Sequence, residues 1–353
     1  MAGESISLVS RRVAASDDPL EAYELFLERG WGDGLPIIPP TEERVRAFLA
    51  ACPAAPASVV ATLPPKWAEA TVEKIAVNAV MAGCRPEYMA VLVAAIEAVA
   101  DERFNAYGLQ ATTNPATPAL VINGPLAGEL GFSNEAGCMG PGWRANATVG
   151  RALRLVLINV GGGTPGLMDR ATHGQPGKFT FCFAENEPES PWEPLHVERG
   201  YRAEDSTVTA IAAAGTLNIL DQGSTDAEGL LLSLAGALAA MGSNNLYLGG
   251  DPALVLSPEH AATLASGGYS KAALKEALFE RARVPLVALS KGNQELLAVR
   301  RPHLFADGAP WSVPIVDDAA DLTVVVAGGP GKHSVFIPTF GAAMRTVTVA
   351  IRN

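Results

Sequence analysis

The sequence predicts an α/β fold, with a mixed or mostly parallel sheet layered with helices and possibly arranged as two α/β halves. Three observations carry that expectation. Short apolar runs ending in Gly, Pro or Asn alternate with longer stretches of helical periodicity along the 353 residues. Hydrophobic residues make up 48% of the chain, enough for a large core without a disulfide or metal staple. Aromatic residues are only 6%, so small side chains fill much of the interior, and these let helices sit close on a sheet.

Residues 1–18 are polar and read as a flexible N-terminus. Asp18-Pro19 starts a helix, because Asp accepts the free N–H groups of a first turn and Pro fits its first position. Leu20, Tyr23, Leu25, Phe26 and Leu27 give it an apolar face up to Gly30. Trp31-Gly-Asp-Gly-Leu-Pro36 reads as a turn, Pro39-Pro40-Thr41 leads into a second helix through Ala51, and 52–58 is a Pro/Ala connection. The spacing predicts helices over 71–81 and 87–100, the second with Pro86 in its first turn and Met89, Leu92, Val93 and Ile96 at helical spacing. Leu120-Val-Ile122 is a short buried strand ending at Asn123-Gly-Pro125. Residues 146–160 are helical, with Val149, Leu153 and Val156 on one face and Arg151 and Arg154 on another, and three glycines at 161–163 stop the helix.

Beyond that point the pattern predicts strands over 178–183, 207–211, 254–256, 285–289, 322–326 and 346–351, and helices over 191–199, 227–241, 258–265 and 271–281. A boundary near 161–170 would divide the chain into halves of 19–165 and 166–353. Pro176-Gly-Lys178-Phe-Thr180 echoes Pro330-Gly-Lys332-His-Ser334, too short a match to establish a repeat.

A net charge of −11 argues against nucleic acid or an anionic membrane as the main partner, since both are bound through excess Lys and Arg. No basic segment followed by an apolar run opens the sequence, and no apolar stretch is long enough to span a bilayer, so a cytoplasmic location is expected. Cys52, Cys84, Cys138 and Cys182 are widely spaced, which excludes a zinc ribbon and disfavours a disulfide framework. Two Gly-rich loops invite a nucleotide and fail on detail. Gly328-Gly-Pro-Gly331-Lys332-His333 has Val326 where a P-loop needs its first Gly and His333 where it needs Ser or Thr. Gly161-Gly-Gly163-Thr-Pro-Gly166 sits at a helix C-terminus, so a pyrophosphate would meet no helix N-terminus. No organic cofactor is therefore expected.

Several residues are candidates for chemistry. Cys84 precedes Pro86 and neighbours Arg85; a helix N-terminus and a guanidinium both favour thiolate, which makes Cys84 a candidate nucleophile, with a small buried capping residue as the alternative. Cys182 alternates with aromatics on a strand and reads as packing. The densest polar stretch, 169–205, offers His173, Lys178 and His196 for proton transfer, and also contains Glu185, Asn186, Glu187 and Glu198. Glu193 and His196 stand three apart on the expected 191–199 helix, the spacing of a metal pair, although no second pair completes the set. Amides and hydroxyls cluster at Asn105, Gln110, Thr112, Thr113 and Asn114, with Arg144, Asn146, Asn244 and Asn245 at other element ends and Lys332 and His333 after a strand. Such groups cap turns and helices; gathered at one edge of a sheet they also form the cleft where α/β folds bind ligands.

Five motifs carry a wider resemblance: Arg29-Gly-Trp-Gly-Asp-Gly-Leu-Pro-Ile-Ile-Pro-Pro40, Val80-Met-Ala-Gly-Cys-Arg-Pro-Glu-Tyr88, Gly140-Pro-Gly-Trp-Arg-Ala-Asn-Ala-Thr148, Ser190-Pro-Trp-Glu-Pro-Leu-His-Val-Glu-Arg199 and Met241-Gly-Ser-Asn-Asn-Leu-Tyr247. Over about residues 25–290 the chain resembles a bacterial family found beside or fused to the UGSC-type (seleno)cysteine domain. The resemblance implies thiol-linked chemistry on a small organic acid or amide, with any redox role needing a separate partner, since the Cys/Sec-Gly-Ser-Cys motif is lacking. The leading expectation is a lyase or hydrolase acting on a small carboxylate or amide by acid/base or thiol-assisted chemistry. Its rivals are a metal-dependent enzyme using Glu193 and His196, and a non-catalytic binding subunit of a thiol redox system. A homodimer is expected at this size, with the Ala-rich face of 230–241 as a pairing surface.

Overall fold

The computed structural model describes residues 7–352; residues 1–6, part of the expected flexible N-terminus, lie outside the described residues. Residues 9 and 10 are tied down: the Val9 and Ser10 N–H groups donate to the Glu73 carboxylate at 3.0 and 2.8 Å. Helix α1 (Pro19–Glu28) is capped by the Asp18 carboxylate and α2 (Glu42–Ala50) by the Thr41 hydroxyl. A hairpin of β1 (Val59–Leu63) and β2 (Ala68–Thr71) leads into α3 (Val72–Ala82), then α4 (Met89–Ala100) and the short α5 (Ala106–Gln110). Eight of the twelve α4 residues are buried, including Leu92 and Ile96, and each such aliphatic side chain contributes about 1.5–3 kcal/mol. Next come β3 (Thr117–Asn123), α6 (Pro125–Glu129), α7 (Arg144–Asn159), β4 (Cys182–Ala184), α8 (Leu195–Glu198) and β5 (Thr207–Ala213).

The rest of the chain forms β6 (Leu217–Leu220), α9 (Ala227–Leu238), α10 (Asn244–Leu248), β7 (Ala253–Leu256), α11 (Pro258–Ser266) and α12 (Lys271–Arg281). It continues with β8 (Arg283–Pro285), α13 (Lys291–Arg300), β9 (Ser312–Pro314), β10 (Thr323–Val326), β11 (His333–Ile337) and β12 (Val347–Ala350). The fold is α/β, and two four-stranded mixed sheets organise it, in the orders β12-β5-β3-β4 and β10-β7-β11-β6. Strand alternation sets the layers. Leu120 and Ile122 face α3, α4 and α7, whereas Ala119 and Val121 face the other sheet, meeting Val255, Val325 and Ile337. Leu254, Leu256, Val324 and Phe336 point the other way, onto α9, α11 and α12. The order is helices, sheet, sheet, helices.

The two sheets share one wiring. In each, a central strand has a parallel neighbour reached through helices and an antiparallel neighbour on its other side: β4 and β5 flank β3, and β10 and β11 flank β7. A fourth strand pairs antiparallel to the third, β12 on β5 and β6 on β11. The first sheet thus takes its outer strand from the C-terminal end of the chain. β3 precedes the expected boundary near 165 and its three sheet partners follow it. The short sequence echo is not part of this repeat, since Pro176-Gly-Lys178 precedes β4 and Pro330-Gly-Lys332 enters β11, and β4 and β11 occupy different places in the wiring.

Several expectations change. The helix expected over 191–199 shrinks to α8, because Pro191 and Pro194 withhold N–H donors and the stretch is held by side chains instead. Residues 286–288 form a 3-10 turn rather than a strand. In α9, Leu230, Leu231, Leu234 and Leu238 pack on the second sheet, while Leu232 and Met241 of the expected pairing stretch stay exposed. The Gly328–331 loop enters strand β11, not a helix, which removes the helix N-terminus a phosphate loop requires. No helix among the described residues is long and apolar enough to cross a membrane.

Candidate functional site

The C-terminal ends of the parallel pair β3 and β4 carry a buried polar cluster. β3 ends on Asn123, β4 is followed by Glu185-Asn186-Glu187, and β5 begins with Thr207 directly opposite Asn123. The Asn123 amide donates to Glu185 at 2.6 Å and to Glu187 at 2.9 Å. Glu187 also accepts the Gly124 N–H at 2.7 Å. Gly124 is required here: its φ is +83°, and a Cβ would overlap the Asp205 carbonyl oxygen. The second oxygen bond of Glu185 comes from the Leu195 N–H at 2.8 Å, which brings α8 and its His196 onto the cluster. His196 is wholly buried, with Nδ1 3.8 Å from the Glu187 carboxylate and Nε2 3.5 Å from the Ala203 carbonyl.

Burial alone does not distinguish this cluster; incompleteness does. Seven buried side-chain polar atoms among the described residues have no hydrogen-bond partner, and four are here: Asn123 Oδ1, Glu185 Oε1, His196 Nδ1 and Thr207 Oγ1. Each unpaired buried group costs about 1–3 kcal/mol. Burial pushes the Glu185 carboxyl above the ordinary carboxylate range, although Lys271, the Leu195 N–H and Asn123 act against it. Oε2 accepts both N–H bonds, so the proton of the neutral acid belongs on Oε1, the oxygen without a partner. With an Nε2 proton directed at Ala203, the His196 Nδ1 lone pair is a proton acceptor, a tautomer assigned from the surrounding geometry. A carboxyl whose neutral form burial favours and an imidazole in one cluster are the groups an acid–base pair needs. Glu187, whose side chain is 26% exposed, is the member that meets solvent.

The chain locks this arrangement from behind. Lys271 and Lys275 of α12 both bind Glu198 of α8, and Lys271 also donates to the Glu193 carbonyl at 2.8 Å. The Trp192 indole N–H donates to the Tyr269 carbonyl at 2.9 Å. Asn186 bridges the sheets, its N–H donating to the Val326 carbonyl at 2.7 Å.

Of the residues singled out in the sequence, only His196 joins this cluster. Cys84 is buried, its Sγ donates to the Thr148 carbonyl at 3.3 Å, and burial pushes the thiol up to about 12, opposite to the expected activation. Arg144 is exposed and donates to the Gly83 and Cys84 carbonyls, closing the end of α3. Asn146 is buried and spends its amide on Ser133 and Cys138. Glu193 is exposed while His196 is buried, so the expected metal pair does not converge.

Asn105, Gln110, Thr112, Thr113 and Asn114 do meet the 169–178 segment, through Arg170 N–H to Thr112 O and Thr172 N–H to Thr113 O. They lie before β3, however, at the opposite end from Asn123. Asn105 caps α5 and Asn114 accepts the Ala116 N–H. Gln110 is buried, with its amide on the Pro64 carbonyl and Oε1 unpaired. Lys178 is bound to Asp169 at 2.5 Å; burial pushes its ammonium down and Asp169 partly restores it. His173 is exposed. Asn244 is half-buried, and Asn245 is fully bonded to Gly249 and Thr339. Lys332 and His333 sit by β6, on the Gln222 carbonyl and Asn218.

No family model matches this chain, and no curated protein matches it. Thr207 escaped the sequence reading; Asn123 was read as a strand-end amide, and Glu185 and Glu187 as part of the polar stretch, without assigned roles. Their signal was position: each stands at a strand end, and two acids follow a buried strand.

Proposed function

We propose that this chain is an acid–base enzyme, a lyase or hydrolase acting on a small carboxylate or amide, with Glu185 as the acid and His196 as the base. The observation that carries the reading is the set of four unpaired buried atoms at the ends of a parallel strand pair. α/β folds bind ligands at such strand ends, and a bound polar molecule would supply the missing partners. Asn123 and the Gly124 N–H hold Glu187 in place, with its carboxylate 3.8 Å from the His196 Nδ1. A thiol-dependent route, as the family resemblance implies, finds less support: burial pushes Cys84, Cys138 and Cys182 up.

The test is proton NMR of the protein in deuterated water with panels of 2-hydroxy acids, 2-amino acids and simple amides. Deuterium uptake beside the carbonyl, elimination or amide hydrolysis is expected for one class. Glu185→Gln and His196→Gln should each lower that rate by about 10²–10⁴-fold, while Cys84→Ser keeps it. Full rates in both Glu185→Gln and His196→Gln, or no reaction in any class, would overturn the assignment.

A further inference from the structure

At the other end of α7, some 24 Å from its start at 1.5 Å per residue, lies a groove that the acid–base cluster does not use. Two adjoining cavities of about 710 and 450 Å³ share Ser10, Arg11, Trp31, Val77, Asn78 and Asn159. Their size is that of a small-molecule site. The larger is walled by Leu25, Phe26, Val45 and Met81, and its two acids are engaged, Glu42 by Arg12 and Arg46 and Glu73 by the Val9 and Ser10 N–H groups. The smaller carries Arg11, Lys66 and Lys74 and no carboxylate at all, in a chain of net charge −11. Among the described residues neither Arg11 nor Lys66 has an ion-pair partner. Lys74 spends one proton on the Glu69 carbonyl at 2.7 Å.

The groove is built rather than incidental. Arg151 grips Asp33 with two bonds of 2.7 and 2.8 Å and the Leu35 and Pro36 carbonyls beside it, fixing the turn that presents Trp31. Asn159 donates to the Trp31 carbonyl at 2.9 Å and to Asn78 at 2.7 Å, which leaves its buried Oδ1 unpaired on the wall common to both cavities. The Lys66 N–H donates to the Gly161 carbonyl at 2.9 Å, and its stem lies over Gly162, where a Cβ would overlap it. Phe26 meets the Trp31 ring edge-to-face at 5.5 Å.

We propose that this groove binds an amphipathic organic monocarboxylate, with its carboxylate on Arg11, Lys66 and Lys74 and its carbon body against Trp31. Three cations without a counter-acid select the anion, and the apolar wall selects a ligand with a carbon skeleton over inorganic phosphate. The proposal stands independently of the acid–base reading, because it concerns other residues and is read by binding alone. Isothermal titration of the full chain with phenylacetate, phenylacetamide and inorganic phosphate tests it. Phenylacetate should bind at least about tenfold more tightly than either of the others. Lys66→Met and Lys74→Met should each weaken phenylacetate about tenfold at unchanged melting temperature, and Trp31→Leu should weaken acid and amide alike. Equal affinity for acid and amide, phosphate binding as tightly as phenylacetate, lysine variants that bind as the parent does, or no heat with phenylacetate would each overturn it.

Discussion

Each four-stranded sheet has a buried histidine just beyond its parallel strand pair, and the two are treated oppositely. At the second sheet His260 is fully bonded, Nδ1 to Ser334 Oγ at 2.8 Å and Nε2 to the Asp221 carbonyl at 3.1 Å. The Ser334 hydroxyl also accepts the Ser257 N–H, and Asp221 takes the N–H and hydroxyl of Ser224. Against the burial that raises it, hydrogen bonds from Ser233 and Ser224 hold the Asp221 carboxyl down at about 2. At the first sheet His196, Glu185, Asn123 and Thr207 all keep an unpaired atom. With wiring and burial alike, the difference lies in whether the hydrogen bonds close. A closed network holds strands and helices together; an open one costs stability and persists where a ligand completes it.

The sharpest way to break this comparison is at the turns after the two central strands. Gly124→Ala, which forces a Cβ into the Asp205 carbonyl at φ +83°, should cost about 3–5 kcal/mol in urea denaturation. Ser257→Ala removes only a helix cap and should cost about 1 kcal/mol. Next in size is the histidine pair. His260→Leu strands Ser334 and the Asp221 carbonyl and should cost about 2–4 kcal/mol, whereas His196→Leu removes an unpaired nitrogen and should stay within about 1 kcal/mol of the parent. Equal losses would erase the distinction between the clusters. The smallest effect is a pH slope. Because Glu185 is raised in the fold, its contribution is complete below its unfolded value, about 4.3, and is lost as pH rises through the folded value. Glu185→Gln should therefore gain on the parent between pH 5 and pH 9 in thermal melts. A parallel pair of curves would mean that the carboxyl is ionised throughout.

Sequence periodicity resolved the long helices because their signals are local: Asp18, Thr41 and Thr71 cap as their chemistry dictates, and the apolar stripes of α4 and α7 face the core. It missed β6 and the β1–β2 hairpin, whose residues are largely exposed, and β11, which follows a Gly-rich loop. The site was partly legible. The acidic stretch after β4 stood out, but which of its side chains would be left unpaired depends on Asn123 and Thr207, brought there by pairing distant in sequence. Cys84 misled for a related reason: helix-end electrostatics is visible in sequence, whereas the desolvation that overrides it comes from burial in the core, which the Thr148 hydrogen bond only partly offsets.

The outer strand of the first sheet has a consequence for synthesis. β12 pairs Val347 with Ala210, so when a ribosome has finished β5 the sheet's outer edge has no partner, and none arrives until the entire second half has been made. During that interval the nascent first half presents a naked row of N–H and C=O groups to its surroundings, the condition under which unfinished chains stick to one another. The second sheet waits as well, since β6 and β7 both pair with β11, which is made shortly before β12. Closing the first sheet is thus a late, long-range event, and the speed of translation itself sets how long this edge stays open.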